Sequence, residues 1–210
     1  MIKGMIFDLG GVIVEWSNSI TYQYIEEKYD IDFYTIKTKL EEKLPLVQMS
    51  KLSEKEWLEE FFRSLNIEPP EDYEKIWRKT FEDSKYNEDV IRIIKALKEN
   101  NFKLAVLSNI EFSRAAWERK RGIIDYFDVV VFSCELGTRK TDNLKWDKSP
   151  EVNIFRLTID AIGLKQEECV YIDDNFECIK AAEEVGIKGI LFKNAEQLKR
   201  DLKNYNIKIE

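Results

Sequence analysis

The sequence contains no histidine among its 210 residues. This absence excludes a Ser-His-Asp hydrolase, a metal centre with histidine ligands and any mechanism through phosphohistidine, because each of them needs an imidazole. Proton transfer in any reaction of this chain therefore falls to carboxylates, lysine or tyrosine.

Targeting and membrane signals are also missing. No apolar run approaches the roughly 20 residues that cross a bilayer. The apolar start of the chain is interrupted by Asp8, and no small-residue cleavage site follows it. Three cysteines (Cys134, Cys169 and Cys178) form no Cys-x-x-Cys pair, which favours buried free thiols in a reducing compartment. We therefore expect a cytoplasmic protein with no membrane partner.

Charge and composition narrow the classes of partner further. The formal net charge of −7 leaves no basic face for nucleic acid, and the sequence carries no signal for an oligomeric state. A hydrophobic content of 44% supports a real core. The length allows one domain, or a core with a modest insertion.

Short apolar segments alternate with helical patterns in the second half of the chain. The segments are rich in β-branched residues, as expected of buried parallel strands, and the helical patterns carry apolar stripes. This alternation predicts a Rossmann-like three-layer α/β/α fold with a parallel sheet. The predicted strands are 102–107, 128–132, 169–172 and 188–192, and the predicted helices are 88–99, 111–121, 152–162 and 175–185.

Residues 15–84 follow a different pattern, with helical candidates and no convincing strand. Ser53 followed by Glu56 is typical of a capping box at the start of a helix. We interpret this region as a small all-α helical-bundle cap inserted after the first strand, with residues 1–14 and 85–210 forming the α/β core domain. The helical candidates of the cap are 17–29, 33–43, 53–65 and 71–82.

Four separated chemical signals lie at predicted strand ends or in the loop after a strand. Asp8 follows an apolar strand, Ser108 ends another, and the pair Asp173-Asp174 ends a third, while Lys140 lies in a loop. Ligands of parallel sheets bind outside the carboxyl ends of the strands, so the fold should bring these groups together. A nucleophilic acid, a hydroxyl, a cation and two metal-seeking carboxylates are the groups needed for phosphoryl transfer through an aspartyl-phosphate.

With these residues in this order, the chain resembles the haloacid dehalogenase-like hydrolase superfamily from end to end. Each motif alone is weak, but four in the right order are hard to obtain by chance. The resemblance implies a phosphatase for a small phosphorylated metabolite, with a sugar phosphate among the candidates. The segments that carry it are Phe7-Asp8-Leu9-Gly10-Gly11-Val12-Ile13, Leu107-Ser108-Asn109, Gly137-Thr138-Arg139-Lys140 and Ile172-Asp173-Asp174-Asn175.

The resemblance also implies a role for each residue of the site. Asp8 is the expected nucleophile and a ligand of Mg²⁺, an ion that suits carboxylate and phosphate oxygens. The carbonyl of Gly10 and the carboxylate of Asp174 complete the expected metal ligands, with Asp173 adjacent or acting through water. The residues expected to hold the phosphoryl oxygens and offset their charge are Ser108, Asn109 and Lys140.

Gly10 departs from the family pattern. Most phosphatases of the superfamily have a second Asp two residues after the nucleophile, which protonates the leaving group and later activates water. Such acid–base help is typically worth about 10²–10⁴-fold in rate. Glycine supplies no proton, so we expect slow turnover on simple alkyl phosphates and better turnover on anomeric or acyl phosphates. Glu15 or a cap residue is the alternative proton donor.

A second departure is the extra stretch that follows Lys140. Lys140 has the better preceding context, whereas Lys148 lies nearer to the next predicted helix, so Lys140 is preferred and Lys148 is the alternative. Two other functions stay open. A metal-free dehalogenase would lack the acidic pair, so Asp173 and Asp174 argue against it. A catalytically weak relative that binds a phosphorylated ligand is compatible with Gly10.

Overall fold

A five-stranded parallel sheet forms the centre of the computed structural model, which describes residues 1–15, 19–141 and 153–209. The strands are β1 (Gly4–Phe7), β2 (Lys103–Ser108), β3 (Val129–Phe132), β4 (Cys169–Asp173) and β5 (Lys188–Leu191). Their order in the sheet is β3-β2-β1-β4-β5, so the first strand is central.

Helices cover both faces of this sheet, which confirms the predicted three-layer α/β/α architecture. Alternate strand residues enter two separate hydrophobic clusters: Phe7 packs on one face and Ile6 on the other. The core helices are α5 (Glu88–Glu99), α6 (Phe112–Arg121), α7 (Ser133–Leu136), α8 (Ile154–Ile162), α9 (Phe176–Glu184) and α10 (Ala195–Lys203). Helices α5, α6 and α10 line the Phe7 face, and α8 and α9 line the opposite face.

In the described part of the chain, four helices between β1 and α5 form what we call the helical insert. They pack around a third hydrophobic cluster of their own, in which the rings of Trp57 and Trp77 meet edge to face at 4.9 Å. Ser53 and Glu56 form the predicted capping box at the start of the third helix. The helices of the insert are α1 (Ser19–Tyr29), α2 (Phe33–Gln48), α3 (Glu54–Ser64) and α4 (Tyr73–Glu82).

Helix α2 is longer than the sequence predicts. The prediction ends it at residue 43, whereas the helix continues through Pro45 to Gln48. An internal proline costs a helix about 3 kcal/mol, because it removes one backbone hydrogen bond and crowds the preceding turn. Val47 and Gln48 are buried at the end of α2, and this tertiary packing offsets the cost.

The turn between α2 and α3 holds the insert against the core. Gln48 Nε2 donates to the backbone oxygen of Asn109 at 3.3 Å, and Ser50 Oγ donates to the backbone oxygen of Cys134 at 2.5 Å. Glu54 Oε1 accepts the backbone N–H of Ser113 at 2.8 Å. Because these core residues follow β2 and β3, the insert lies over the carboxyl ends of the strands. Within the described ranges, no helix combines the length and apolar character needed to cross a membrane.

Candidate active site

The register of the sheet brings Asp8, Ser108 and Asp173 to one edge. Phe7 of β1 pairs with Val106 of β2 and Ile172 of β4, so the three strands end at nearly the same height. Asp8 follows directly, and its backbone N–H donates to the oxygen of Ile172 at 2.8 Å. Ser108 is the last residue of β2 and is buried. Chain segments about 100 and 65 residues apart therefore meet because parallel strands run in register.

Lys140 lies between two of these carboxylates. Its Nζ is 2.6 Å from Asp8 Oδ1 and 2.9 Å from Asp173 Oδ2, and its side chain is only 2% exposed. The backbone N–H of Lys140 donates to Asn109 Oδ1 at 3.0 Å, which fixes the loop that carries the lysine. The structure thus places the preferred lysine among the predicted site residues, and the alternative, Lys148, falls outside the described residues.

Burial and charge act in opposite directions on this cluster. Burial raises the pKa of Asp8 to about 7; Lys140 opposes that rise, and Asp173 adds to it. Burial by itself would lower the pKa of the Lys140 ammonium, but Asp8 and Asp173 together raise it above its ordinary value. The lysine is therefore held as a cation between two acids.

Asp173 accepts hydrogen bonds from three groups of the chain. Lys140 Nζ and the hydroxyl of Tyr171 both donate to Oδ2, and the backbone N–H of Asn175 donates to Oδ1 at 2.7 Å. Tyr171 is not among the site residues that the sequence predicts. The signal that could have identified it is strand periodicity: Tyr171 and Asp173 are two residues apart on β4, so their side chains project from the same face of the sheet.

Three acids could share a metal ion. One carboxylate oxygen each from Asp8, Asp173 and Asp174 lies within 4.8 Å of the others. Burial and the neighbouring Asp173 raise the pKa of Asp174. A set of hard oxygen donors that repel one another suits a divalent cation such as Mg²⁺. Gly10 follows Asp8 by two residues and forms an isolated backbone bridge with Val14.

The sequence profile of the haloacid dehalogenase-like hydrolases matches residues 2–186. The chain belongs to this family. All four motif segments fall inside the matched range, and the parallel sheet agrees with the fold of solved family members.

Curated relatives and solved structures extend this assignment. The chain is 24% identical over 124 residues to flavin mononucleotide hydrolase 1 of Arabidopsis thaliana, covering 59% of this chain and 47% of that protein. It is 22% identical over 220 residues to bifunctional epoxide hydrolase 2 of Sus scrofa, covering 96% of this chain and 38% of that one. The chain thus spans about half or less of the length of these relatives.

One solved structure has the same fold over nearly the whole chain. A family enzyme from Bacteroides thetaiotaomicron in complex with magnesium and inorganic phosphate superimposes with a TM-score of 0.71 at 20% identity. The match covers 92% of this hydrolase and 96% of that enzyme. At this level of identity the similarity establishes the fold alone.

A cleft of about 420 Å³ opens between the helical insert and the core of the hydrolase. Asn109 and Arg139, the neighbours of Ser108 and Lys140, line it from the core side. Gln48 and Glu111 also line it, and neither of them is among the site residues that the sequence predicts. Hydrophobic periodicity identifies buried apolar residues, so a buried Gln on a helix and a buried Glu before a helix left no recognisable signal.

Proposed function

We propose that this hydrolase is a Mg²⁺-dependent phosphatase that removes phosphate from a small phosphorylated metabolite through an aspartyl-phosphate on Asp8. The observation that carries the proposal is the grouping of Asp8 with Lys140, Asp173 and Asp174 at the carboxyl edge of the sheet. A buried carboxylate beside a fixed cation and two further acids suits attack on an anionic phosphate ester.

In the proposed reaction, a carboxylate oxygen of Asp8 attacks phosphorus. A bond forms between Asp8 and phosphorus, and the bond from phosphorus to the leaving-group oxygen breaks, so that the leaving group departs with the bonding electrons and takes up a proton from solvent water. Ser108, Asn109 and Lys140 are assigned to bind the phosphoryl oxygens and stabilise their developing charge. Water then hydrolyses the aspartyl-phosphate, which releases inorganic phosphate and restores the Asp8 carboxylate.

We assign the metal ligands to Asp8, Asp174 and the backbone carbonyl of Gly10. A bound Mg²⁺ would offset the repulsion between the Asp8 carboxylate and the phosphate dianion. Asp173 is assigned mainly to holding Lys140, since its two oxygens already accept hydrogen bonds from Lys140, Tyr171 and Asn175. This arrangement would keep the lysine at a constant distance from the nucleophile.

Gly10 shapes the proposed substrate range. Because this position supplies no carboxyl to protonate a leaving group, esters whose leaving group departs easily should react faster than simple alkyl phosphates. Anomeric phosphates of sugars and acyl phosphates have such leaving groups. They are therefore the substrate classes that we favour.

Phosphate release with and without metal tests the function. We expect the wild type to release phosphate from p-nitrophenyl phosphate and glucose 1-phosphate with Mg²⁺, and EDTA should stop the reaction. Asp8→Asn removes the nucleophile and should lower the rate by at least roughly a thousandfold. Circular dichroism of this variant controls for folding. Rates equal to those of the wild type would contradict the assignment of Asp8.

Halide release serves as the competing measurement. Release of chloride from 2-chloropropionate that persists in EDTA would instead assign a dehalogenase, in which Asp8 attacks carbon. An L-2-haloacid dehalogenase from Xanthobacter autotrophicus has the same fold, with a TM-score of 0.66 at 19% identity. Halide release is therefore measured beside phosphate release. The grouping of Asp173 and Asp174 beside Asp8 favours the metal-dependent reaction.

A further inference from the structure

The cleft between the insert and the core has the size of a site for a small molecule. Its volume of about 420 Å³ falls within the range of roughly 300–1,000 Å³ that is typical of such sites. Asn109 and Arg139 connect its floor to the residues assigned to phosphate. A phosphate ester bound at Lys140 would therefore place its leaving group in this cleft.

Two buried oxygen atoms of residues that line the cleft have no hydrogen-bond partner among the described residues. They are Oε1 of Gln48 and Oε1 of Glu111. The two residues are 7% and 3% exposed. Buried acceptors are normally paired, because an unpaired one has lost its bond to water without a replacement. A donor on a bound ligand would supply the missing partner.

The orientation of the Gln48 amide is set by its own hydrogen bond. Its Nε2 donates to the backbone oxygen of Asn109 at 3.3 Å, so the oxygen of the amide is the atom left to accept. Glu111 precedes α6, and its side chain does not cap that helix. Burial raises the pKa of the Glu111 carboxyl to about 7, so that near neutral pH it can accept a hydrogen bond from a hydroxyl or donate one to it.

The rest of the lining favours a neutral, hydroxylated group over a second anion. Two basic side chains, Arg114 and Arg139, face the acidic side chain of Glu41 and the partly protonated carboxyl of Glu111. Tyr22 and Trp77 contribute aromatic surface from the insert, and such surface packs against the carbon–hydrogen faces of a ring. The cleft thus combines hydrogen-bond donors, acceptors and apolar wall without a strong excess of either charge.

We propose that Gln48 and Glu111 determine the substrate specificity by accepting hydrogen bonds from hydroxyl groups of the leaving group, so that the substrate is a phosphate ester of a sugar. This inference rests on the proposed phosphatase function and adds no covalent step to it. Sites built to bind a hydroxyl reject analogues that lack it, because their polar groups would then remain unpaired.

Mono-deoxy substrates test the proposal on the wild type. A set of hexose and pentose 1-phosphates is assayed with Mg²⁺, and the best of them is compared with its analogues that each lack one hydroxyl group. We expect at least one analogue to lose roughly tenfold or more in kcat/KM, the effect of one lost hydrogen bond in a buried site. p-Nitrophenyl phosphate, which has no hydroxyl group on its ring, reports the activity independently of this recognition.

Variants then test whether Gln48 and Glu111 cause the discrimination between the parent sugar phosphate and its deoxy analogues. Gln48→Leu and Glu111→Leu should each bring the ratio of kcat/KM between the parent sugar phosphate and one deoxy analogue close to one. Glu111→Gln keeps an acceptor and should retain most of the ratio. Gln197→Leu is the matched control, since Gln197 also donates its amide to a backbone oxygen, that of Leu191 at 3.2 Å, but lies outside the cleft.

The outcomes separate this inference from the proposed function. Hydrolysis of p-nitrophenyl phosphate without hydrolysis of any sugar phosphate would overturn the inference and leave the phosphatase intact. Equal rates for the parent and all of its deoxy analogues would do the same. No phosphate release from any ester would overturn both proposals. Partial unfolding of a variant lowers the amount of active enzyme and so reduces both rates by the same factor. It therefore cannot hide a change in the ratio of kcat/KM between parent and deoxy analogue. A ratio equal to that of the wild type in Gln48→Leu and Glu111→Leu counts against the two residues.

Discussion

Replacing Glu111 by Gln should change how the stability of the hydrolase depends on pH. The side chain is 3% exposed, and burial raises its pKa from the ordinary 4.5 to about 7, despite the opposing charge of Arg114. Between these two values the folded protein keeps a proton that the unfolded chain has already lost. The contribution of Glu111 to the free energy of unfolding therefore falls as the pH rises from 4.5 to 7.

The size of this effect follows from the two pKa values. Their difference is about 2.5 (7 − 4.5), and each unit of pKa difference corresponds to about 1.4 kcal/mol, which makes roughly 3.5 kcal/mol in total. Glutamine has no titrating proton and so lacks this contribution. The difference in free energy of unfolding, Glu111→Gln minus wild type, should rise by that amount up to pH 7 and then stay level.

Urea unfolding followed by tryptophan fluorescence measures this difference at pH 4.5, 5.5, 6.5 and 7.5. The slope with denaturant should be the same for both proteins, so that the midpoints report stability. Glu196→Gln makes the same chemical change on a side chain that is 78% exposed, and it serves as the matched control for that change. A difference for Glu111→Gln that stays constant with pH would refute the argument from burial.

Two further predictions concern the ion pair and a helix cap. Lys140→Ala leaves Asp8 and Asp173 without the cation between them. We expect a loss of about 3–5 kcal/mol in the free energy of unfolding, measured by urea unfolding in EDTA. A loss under about 1 kcal/mol would show that these ion pairs contribute little to stability. Ser53→Ala removes the hydroxyl that accepts the Glu56 N–H at the start of α3, and we expect a loss of about 1 kcal/mol, which an unchanged urea midpoint would contradict.

Much of the fold was predictable because its signals are local and periodic. Apolar segments of four to six residues marked the buried strands, and apolar stripes marked the helices that cover them. The capping box at Ser53 was likewise visible as a residue pattern. The extension of α2 past residue 43 was not, because local propensity ends a helix near Pro45 and only contacts with the rest of the protein outweigh it.

The candidate site was predictable to a smaller extent. Its residues could be named because the carboxyl ends of parallel strands lie at one edge of the sheet. Asp8, Ser108 and Asp173 each end or follow a strand, so they were expected to lie at that edge. Tyr171 was not predicted as a site residue, since a tyrosine inside an apolar strand has the same sequence pattern as an aromatic residue of the core. Its contact with Asp173 became evident only when the side chains could be followed.

The sequence by itself determined the succession of strands and helices along the chain and the family to which the chain belongs. It also determined which groups lie at the carboxyl ends of the strands. All of these follow from patterns along the chain. The tertiary structure decided that Lys140 lies between Asp8 and Asp173, and that Gln48 and Glu111 line one cleft. Distances between residues far apart in the chain depend on how the helical insert packs on the core, and no local pattern encodes that packing.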